Sequence, residues 1–334
     1  MTHLPSSPAQ CFGTNLVAMV TPMETDGSVS KPGVKGLVDH LVATGCDGIV
    51  VAGTSGEAPT LTDAELTELI TLVRDRAAGR ARIIVGIGTN DTVTSIDRAQ
   101  RAEEAGADGL LLVCPYYSRP TQAGIVTHCS DVADATSLPV MLYDIPGRAG
   151  TAMEAATLIE LSQHPRIRAV KDAKGDLYEA MSVMAHTDLA YYCGIDELNL
   201  PYLASGATGL VSVVGNVTAD RNADLIRAVA RGDLGTARSI HTALSPLTEA
   251  LMRTSQGAIM AKAALHELRV IPHPAVRRPL VEGPEADRTK VAAALVRVGL
   301  MTAGSEATGH EGASATGTPD SADIAVPLAV ASGL

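Results

Sequence analysis

The chain has no tryptophan and one phenylalanine, Phe12, so seven tyrosines supply nearly all of its 2% aromatic content. With 46% hydrophobic residues in 334, the core must be packed by Val, Leu, Ile, Ala and Met, in a chain long enough for one large domain and an appendage. Basic residues are also short: 26 Lys and Arg face 37 Asp and Glu, a formal net charge of −11. That balance argues against nucleic acid or anionic membrane as a partner, because phosphate binding draws on surplus cations. Small anionic substrates remain open, since one local arginine holds a carboxylate. Cys11, Cys46, Cys114, Cys129 and Cys193 are odd in number and widely spaced, with no Cys-x-x-Cys pair and no histidine cluster. Neither a disulfide framework nor a metal site is expected. No apolar segment, residues 324–334 included, reaches the roughly 18 residues of a membrane span, and the first ten residues lack a basic start followed by an apolar run. The expectation is a soluble, cytoplasmic protein.

Lysine is scarce enough to be informative: there are six. Lys31, Lys35, Lys174, Lys262 and Lys290 read as turn residues or as members of polar helix surroundings. Lys171 instead follows an apolar run, Ile167-Arg168-Ala169-Val170, and alternates with Ala169 and Ala173 on one face of an expected strand. A lysine held in apolar walls gives up its proton more easily and becomes a nucleophilic amine, which makes Lys171 a Schiff-base candidate. The plainer alternative is a lysine that snorkels to the strand end and pairs with Asp172 or Asp176.

Strand-like runs recur along the chain, at residues 16–20, 48–52, 82–86, 109–113, 139–143, 167–171, 189–193 and 209–214. Helical spacing lies between them, at 34–44, 63–78, 92–105, 123–135, 153–162, 177–185 and 198–204. Alternation of this kind implies parallel pairing, and about eight units predict a (β/α)8 TIM barrel with its site at one mouth. An open doubly wound sheet fits less well, because no Gly-x-Gly-x-x-Gly turn follows the first strand. Further helices at 219–230, 234–251, 258–268 and 288–298 exceed what closes a barrel and are expected to form a C-terminal appendage. The domain reading is therefore a lead over 1–11, a barrel over 12–218, a helical region over 219–301 and a disordered tail over 302–334, where composition turns to Ala, Gly, Ser and Thr.

Four stretches fall at expected strand ends. After the second strand, Gly53-Thr54-Ser55-Gly56-Glu57 offers two hydroxyls and close backbone approach, suited either to a carboxylate at a helix start or to a plain capped turn. Pro115-Tyr116-Tyr117-Ser118-Arg119-Pro120 follows the fourth strand, and Tyr143-Asp144-Ile145-Pro146-Gly147-Arg148 ends the fifth. Forming an imine requires loss of water from a carbinolamine, so a proton donor and acceptor is needed beside the lysine, and Tyr143 is placed to serve. Asp144 and Asp172 have the opposite parity from Tyr143 and Lys171 and are expected to face the helix layer. For Arg148 the alternative is a surface ion pair.

Taken with Val-Lys-Asp-Ala-Lys at 170–174, these motifs make residues 12–301 resemble the dihydrodipicolinate synthase family of pyruvate-dependent class I aldolases. The resemblance implies that Lys171 binds the keto carbon of pyruvate and that Tyr143 moves protons. It implies that Thr54 links Tyr143 to Tyr117, the latter reaching a neighbouring subunit, and that Ser55 helps hold the pyruvate carboxylate. Arg148 would recognise the carboxylate of L-aspartate 4-semialdehyde, while Gly194 and Val211 would line the pyruvate pocket. The implied activity is synthesis of 4-hydroxy-tetrahydrodipicolinate, the first committed step toward diaminopimelate and lysine, without a cofactor, in a homotetramer built from tight dimers.

The sequence departs from the family at Asp144 and Asp172, where Asn and Glu are common. At the family's lysine-inhibitor site Asn90 and Tyr116 match, but Asp63, Leu66 and Thr94 replace the expected histidines and acid, which implies weak or absent inhibition by lysine. Sialic acid lyases and keto-deoxy sugar acid aldolases would use the same lysine and tyrosine, yet do not usually place an arginine at the position of Arg148. A pyruvate-binding regulator without turnover is the alternative of another class, disfavoured by the intact set of Tyr143, Thr54 and Tyr117.

Overall fold

A computed structural model describes residues 7–302. Eight parallel strands close into a barrel in sequential order: β1 (Asn15–Ala18), β2 (Gly48–Val51), β3 (Arg82–Gly86), β4 (Gly109–Val113), β5 (Val140–Asp144), β6 (Ile167–Asp172), β7 (Ala190–Cys193) and β8 (Gly209–Ser212). Each lies within or against a run expected from the sequence, because strands buried on both faces read as continuous aliphatic segments. Among the described residues, no helix is long and apolar enough to cross a membrane.

Helix starts are fixed by local chemistry. Thr62 and Glu65 form a reciprocal capping box at the head of helix Asp63–Ala77, and Asp91 caps helix Thr92–Glu104 by accepting from the Thr94 amide. Four short elements were not foreseen: helices Pro8–Phe12 and Pro146–Ala149, and the 3-10 turns Ala58–Thr60 and Asp196–Leu198. Each is too short to show a helical period.

Register sorts side chains into two layers. Met141 pairs with Ala169, Tyr143 with Lys171 and Lys171 with Tyr192, so these residues share the bore, whereas Asp144 and Asp172 pair on the helix side, as their parity predicts. The single phenylalanine closes the floor. Phe12 meets the Tyr192 ring edge-on at 6.3 Å between centroids, and the Tyr192 hydroxyl donates to the Gly13 carbonyl at 2.8 Å.

Helix Gly215–Ala230 runs on from β8 across residue 218, with non-helical backbone at Thr218. Helices Leu234–Met252, Gly257–Glu267 and Glu285–Arg297 follow. The tail expected to be disordered lies outside the described residues apart from Thr302. Lys262 corrects the sequence reading: it is fully buried and ion-paired with the buried Glu57, not set in a polar helix face. The helix around it, Ala258 to Leu265, is buried on every side, and the apolar residues that flank Lys262 on both sides were the available signal.

The floor of the barrel yields a stability prediction. A Cβ at Gly209 would stand 2.1 Å from the Thr14 carbonyl oxygen, against backbone that cannot yield cheaply. Gly209→Ala should therefore cost about 1–3 kcal/mol, seen as a lower denaturant midpoint with an unchanged slope.

Candidate active site

Strands β5 and β6 end side by side, and their register sets Tyr143 opposite Lys171. The Lys171 ammonium lies 4.1 Å from the centroid of the Tyr143 ring, and both residues are 4% exposed. No carboxylate reaches Lys171 among the described residues, so the alternative of pairing with Asp172 or Asp176 is not realised. Asp176 instead caps helix Leu177–His186. Gly194, just past β7, explains how the lysine fits. A Cβ there would stand 3.1 Å from both Cγ and Cε of Lys171, so glycine leaves the side chain its path.

A cavity of about 420 Å3 opens at the same end of the barrel, lined by Thr54, Tyr116, Tyr117, Tyr143, Arg148 and Arg98 among others. Tyr143 joins the two features, since its ring carries the Lys171 ammonium and it also lines the cavity. Lys171, Ser55, Gly194 and Val211 are not among the lining residues; Ser55 and Val211 are buried, Val211 within the bore on β8. Thr54 and Ser55 do not open an α-helix, as one reading of the loop had it. The next turn is the 3-10 segment Ala58–Thr60, capped by Glu57 in left-handed backbone, so the loop's amides belong to a tight turn.

Arg148 sits exposed on helix Pro146–Ala149 and has no acidic partner among the described residues, which sets aside the surface-pair reading. Tyr117 is 90% exposed and its backbone is left-handed, with φ of 71°. No hydrogen bond joins the Thr54, Tyr143 and Tyr117 hydroxyls among the described residues. Arg98 was not anticipated; it pairs with Asp63 at 3.1 Å, a contact between two helices that spacing along one of them does not reveal.

Behind the strand ends lies a second cluster. Asp172 accepts from the amides of Lys174 at 2.8 Å and Gly175 at 3.3 Å, and Asp144 accepts from the Met153 amide at 3.2 Å. The Lys174 ammonium stands 3.5 Å from Asp144 and 2.7 Å from Glu179. Burial pushes the Asp144 carboxyl up to about 6, with Lys174 opposing the shift, and raises Asp172 in the same way. All five cysteines are buried and free; burial pushes the Cys46 and Cys114 thiols up to about 12, which keeps them unreactive. Among the described residues, no group of three or more His, Cys, Asp or Glu side chains is arranged to hold a metal ion.

Fold and strand ends together define a barrel of the lysine-dependent aldolase type. Comparison with known proteins gives the particular group: the model of the dihydrodipicolinate synthetase family matches residues 11–298, and the chain belongs to that family. It is 47% identical over 302 residues to a 4-hydroxy-tetrahydrodipicolinate synthase of Kineococcus radiotolerans, covering 90% of this chain and 98% of the relative. With a second such synthase, from Acidothermus cellulolyticus, it shares 51% identity over 271 residues, 81% of this chain and 87% of that one. Among solved structures, a lysine-bound synthase of Cyanidioschyzon merolae superposes with a TM-score of 0.84 at 37% identity, covering 87% of this chain and 99% of that one. A Bacillus anthracis dihydrodipicolinate synthase gives 0.82 at 36%, covering 85% and 97%.

The buried acid behind the strands carries a pH prediction. An unfolded aspartate titrates near 3.9, so the folded chain with Asp144 near 6 binds more protons between about pH 4 and 6, and its stability falls as pH rises through that window. Asp144→Asn removes this dependence. Its melting temperature relative to the unsubstituted chain should rise between pH 4 and 7, by the equivalent of roughly 2 kcal/mol, in thermal scans across that range.

Proposed function

We infer that the chain condenses pyruvate with L-aspartate 4-semialdehyde to give 4-hydroxy-tetrahydrodipicolinate, through a Schiff base on Lys171. The observation that carries this reading is the contact of the buried Lys171 ammonium with the Tyr143 ring, beside a cavity that also holds Arg148, which has no acidic partner among the described residues. The Lys171 amine adds to the keto carbon of pyruvate. Tyr143 passes protons as the carbinolamine loses water, and the protonated imine then draws electrons from the methyl carbon, which gives up a proton to form an enamine. The enamine carbon attacks the aldehyde. The amine of the second substrate then adds to the imine carbon, closes the ring and releases Lys171.

In this scheme Thr54 and Ser55 receive the pyruvate carboxylate, and Arg148 receives the carboxylate of the semialdehyde. Gly194 and Val211 form the walls near the imine. Tyr117, held out at 90% exposure, completes a partner subunit's relay through Thr54, so a dimer is the smallest working unit and a homotetramer the assembly. The reaction takes place in the cytoplasm.

Pyruvate consumption with the semialdehyde tests the assignment. Lys171→Ala should abolish both turnover and borohydride trapping of a pyruvate adduct. Arg148→Ala should still trap the adduct but lose about 10- to 100-fold in kcat/KM for the semialdehyde, the worth of a charge-assisted hydrogen bond. A trapped adduct on Lys171 with no turnover would mean a different acceptor aldehyde, and no adduct at all would remove the Schiff base.

Regulation by lysine should be weak or absent. Asp63 is engaged by Arg98, Leu66 is buried in the core, and Thr94 is tied to Asp91, so none of the three is free to bind an amino acid as a histidine or glutamate would. Strong inhibition at sub-millimolar lysine in a steady-state assay would overturn this.

A further inference from the structure

The loop Gly53-Thr54-Ser55-Gly56-Glu57 has little of its own to hold it in place. Its internal bonds are those of a turn: Gly56 amide to Gly53 carbonyl at 3.0 Å and Glu57 amide to Thr54 carbonyl at 3.2 Å. In front, the Thr21 hydroxyl donates to the Gly56 carbonyl at 2.7 Å. Its far end, Glu57, adopts φ of 59°, a conformation that costs a side-chain-bearing residue energy and that glycine would take more cheaply. A glutamate there needs a reason.

Both oxygens of the Glu57 carboxylate are committed to the C-terminal helical region. Oε1 accepts from the Lys262 ammonium, and Oε2 accepts from the Arg277 amide at 2.7 Å. Lys262 also donates to the Ala275 carbonyl at 2.7 Å. The Arg277 guanidinium returns to the barrel, donating to the carbonyls of Gly27 at 2.6 Å and Thr60 at 2.7 Å and pairing with Glu65. Lys262 and Glu57 are both buried, and burial pulls the Lys262 ammonium below the ordinary lysine value while Glu57 opposes that shift. A buried pair of this kind is often no more stabilising than two apolar side chains of the same volume. What it adds is direction, because hydrogen-bonded atoms fix a position that apolar contact leaves loose.

We propose that Lys262 is a positioning residue: through Glu57 it sets the loop carrying Thr54 and Ser55, and so couples the C-terminal helical region to pyruvate binding. The proposal rests on the reading that this loop receives the pyruvate carboxylate. Lys262 touches no substrate. Its effect reaches the site through the one residue, Gly56, that separates Glu57 from Ser55.

The test uses the full chain with Lys262→Met, Glu57→Gln and the double substitution, which buries no unpaired charge. Three quantities are read: melting temperature, amide hydrogen exchange of the segment 53–60, and KM for pyruvate against kcat. The double variant should melt near or above the unsubstituted chain. Its segment 53–60 should nonetheless exchange about tenfold faster and its KM for pyruvate rise about tenfold, with kcat at saturating pyruvate within about twofold. Lys262→Gln combined with Glu57→Gln, which keeps a donor and an acceptor in place and likewise buries no unpaired charge, should show the same changes in smaller measure and serves if the first double variant fails to fold; Glu57→Gln alone leaves the Lys262 ammonium without its carboxylate and should melt below both. Unchanged exchange and unchanged KM in a folded variant would reduce the pair to core filling and overturn the proposal. Should the unsubstituted chain trap no pyruvate adduct, the proposed reaction fails on its own, and exchange over 53–60 still decides the coupling.

Discussion

The pleat of a closed parallel sheet is the constraint on which the rest of this molecule depends. With the barrel sealed, each strand's residues alternate between bore and helix layer, and the register of β5 against β6 aligns two consecutive pairs. Tyr143 with Lys171 turns inward, and Asp144 with Asp172 turns outward. Two kinds of chemistry are thus delivered to opposite faces by four residues. A slip of one residue in either strand would bring a carboxylate to face the amine, so the surroundings of Lys171 are set by register before any loop contributes.

The scarcity of aromatic residues follows the same axis. Phe12 and Tyr192 fill the floor of the bore, and Tyr143 stands at its mouth beneath the cavity. Between them the bore is lined by aliphatic side chains such as Met141 and by small ones such as Ala169 and Ala190, which pair across β6 and β7 below Lys171. Between sheet and helices aliphatic side chains fill most of the space, as parallel sheets covered on both faces require, joined by Tyr191 on the helix side of β7 and by the buried Tyr202.

The barrel was legible because its evidence is local: aliphatic runs and helical spacing repeat along the chain, and strand ends converge wherever eight such units close. Lys171 was legible for a related reason, as a lone cation within an apolar alternation. Lys262 belongs to the same class of signal, an ammonium inside an apolar helix, but its meaning lay in a partner 205 residues away. Nothing in a single sequence gives such a pairing. The space that Gly194 leaves for the Lys171 side chain, and the pairing of Arg98 with Asp63, were hidden in the same way. The turn after Glu57 was not foreseen for a different reason, since left-handed backbone at a glutamate runs against the local preference for glycine there.

The two buried lysines differ in what holds them, and that difference is what separates the proposed nucleophile from the proposed strut. Both sit in apolar walls, and burial alone would treat them alike. Lys262 has a carboxylate on one proton and a carbonyl on another, so its charge is neutralised in place and its nitrogen is occupied. Lys171 has a ring face and no carboxylate among the described residues, a contact that accommodates the cation yet leaves the nitrogen's lone pair unopposed once a proton departs. The acids nearest Lys171 in sequence are turned to the other side of the sheet, where Lys174 and backbone amides occupy them. The strand pleat keeps those acids from Lys171, and the same pleat leaves it facing the phenol ring of Tyr143.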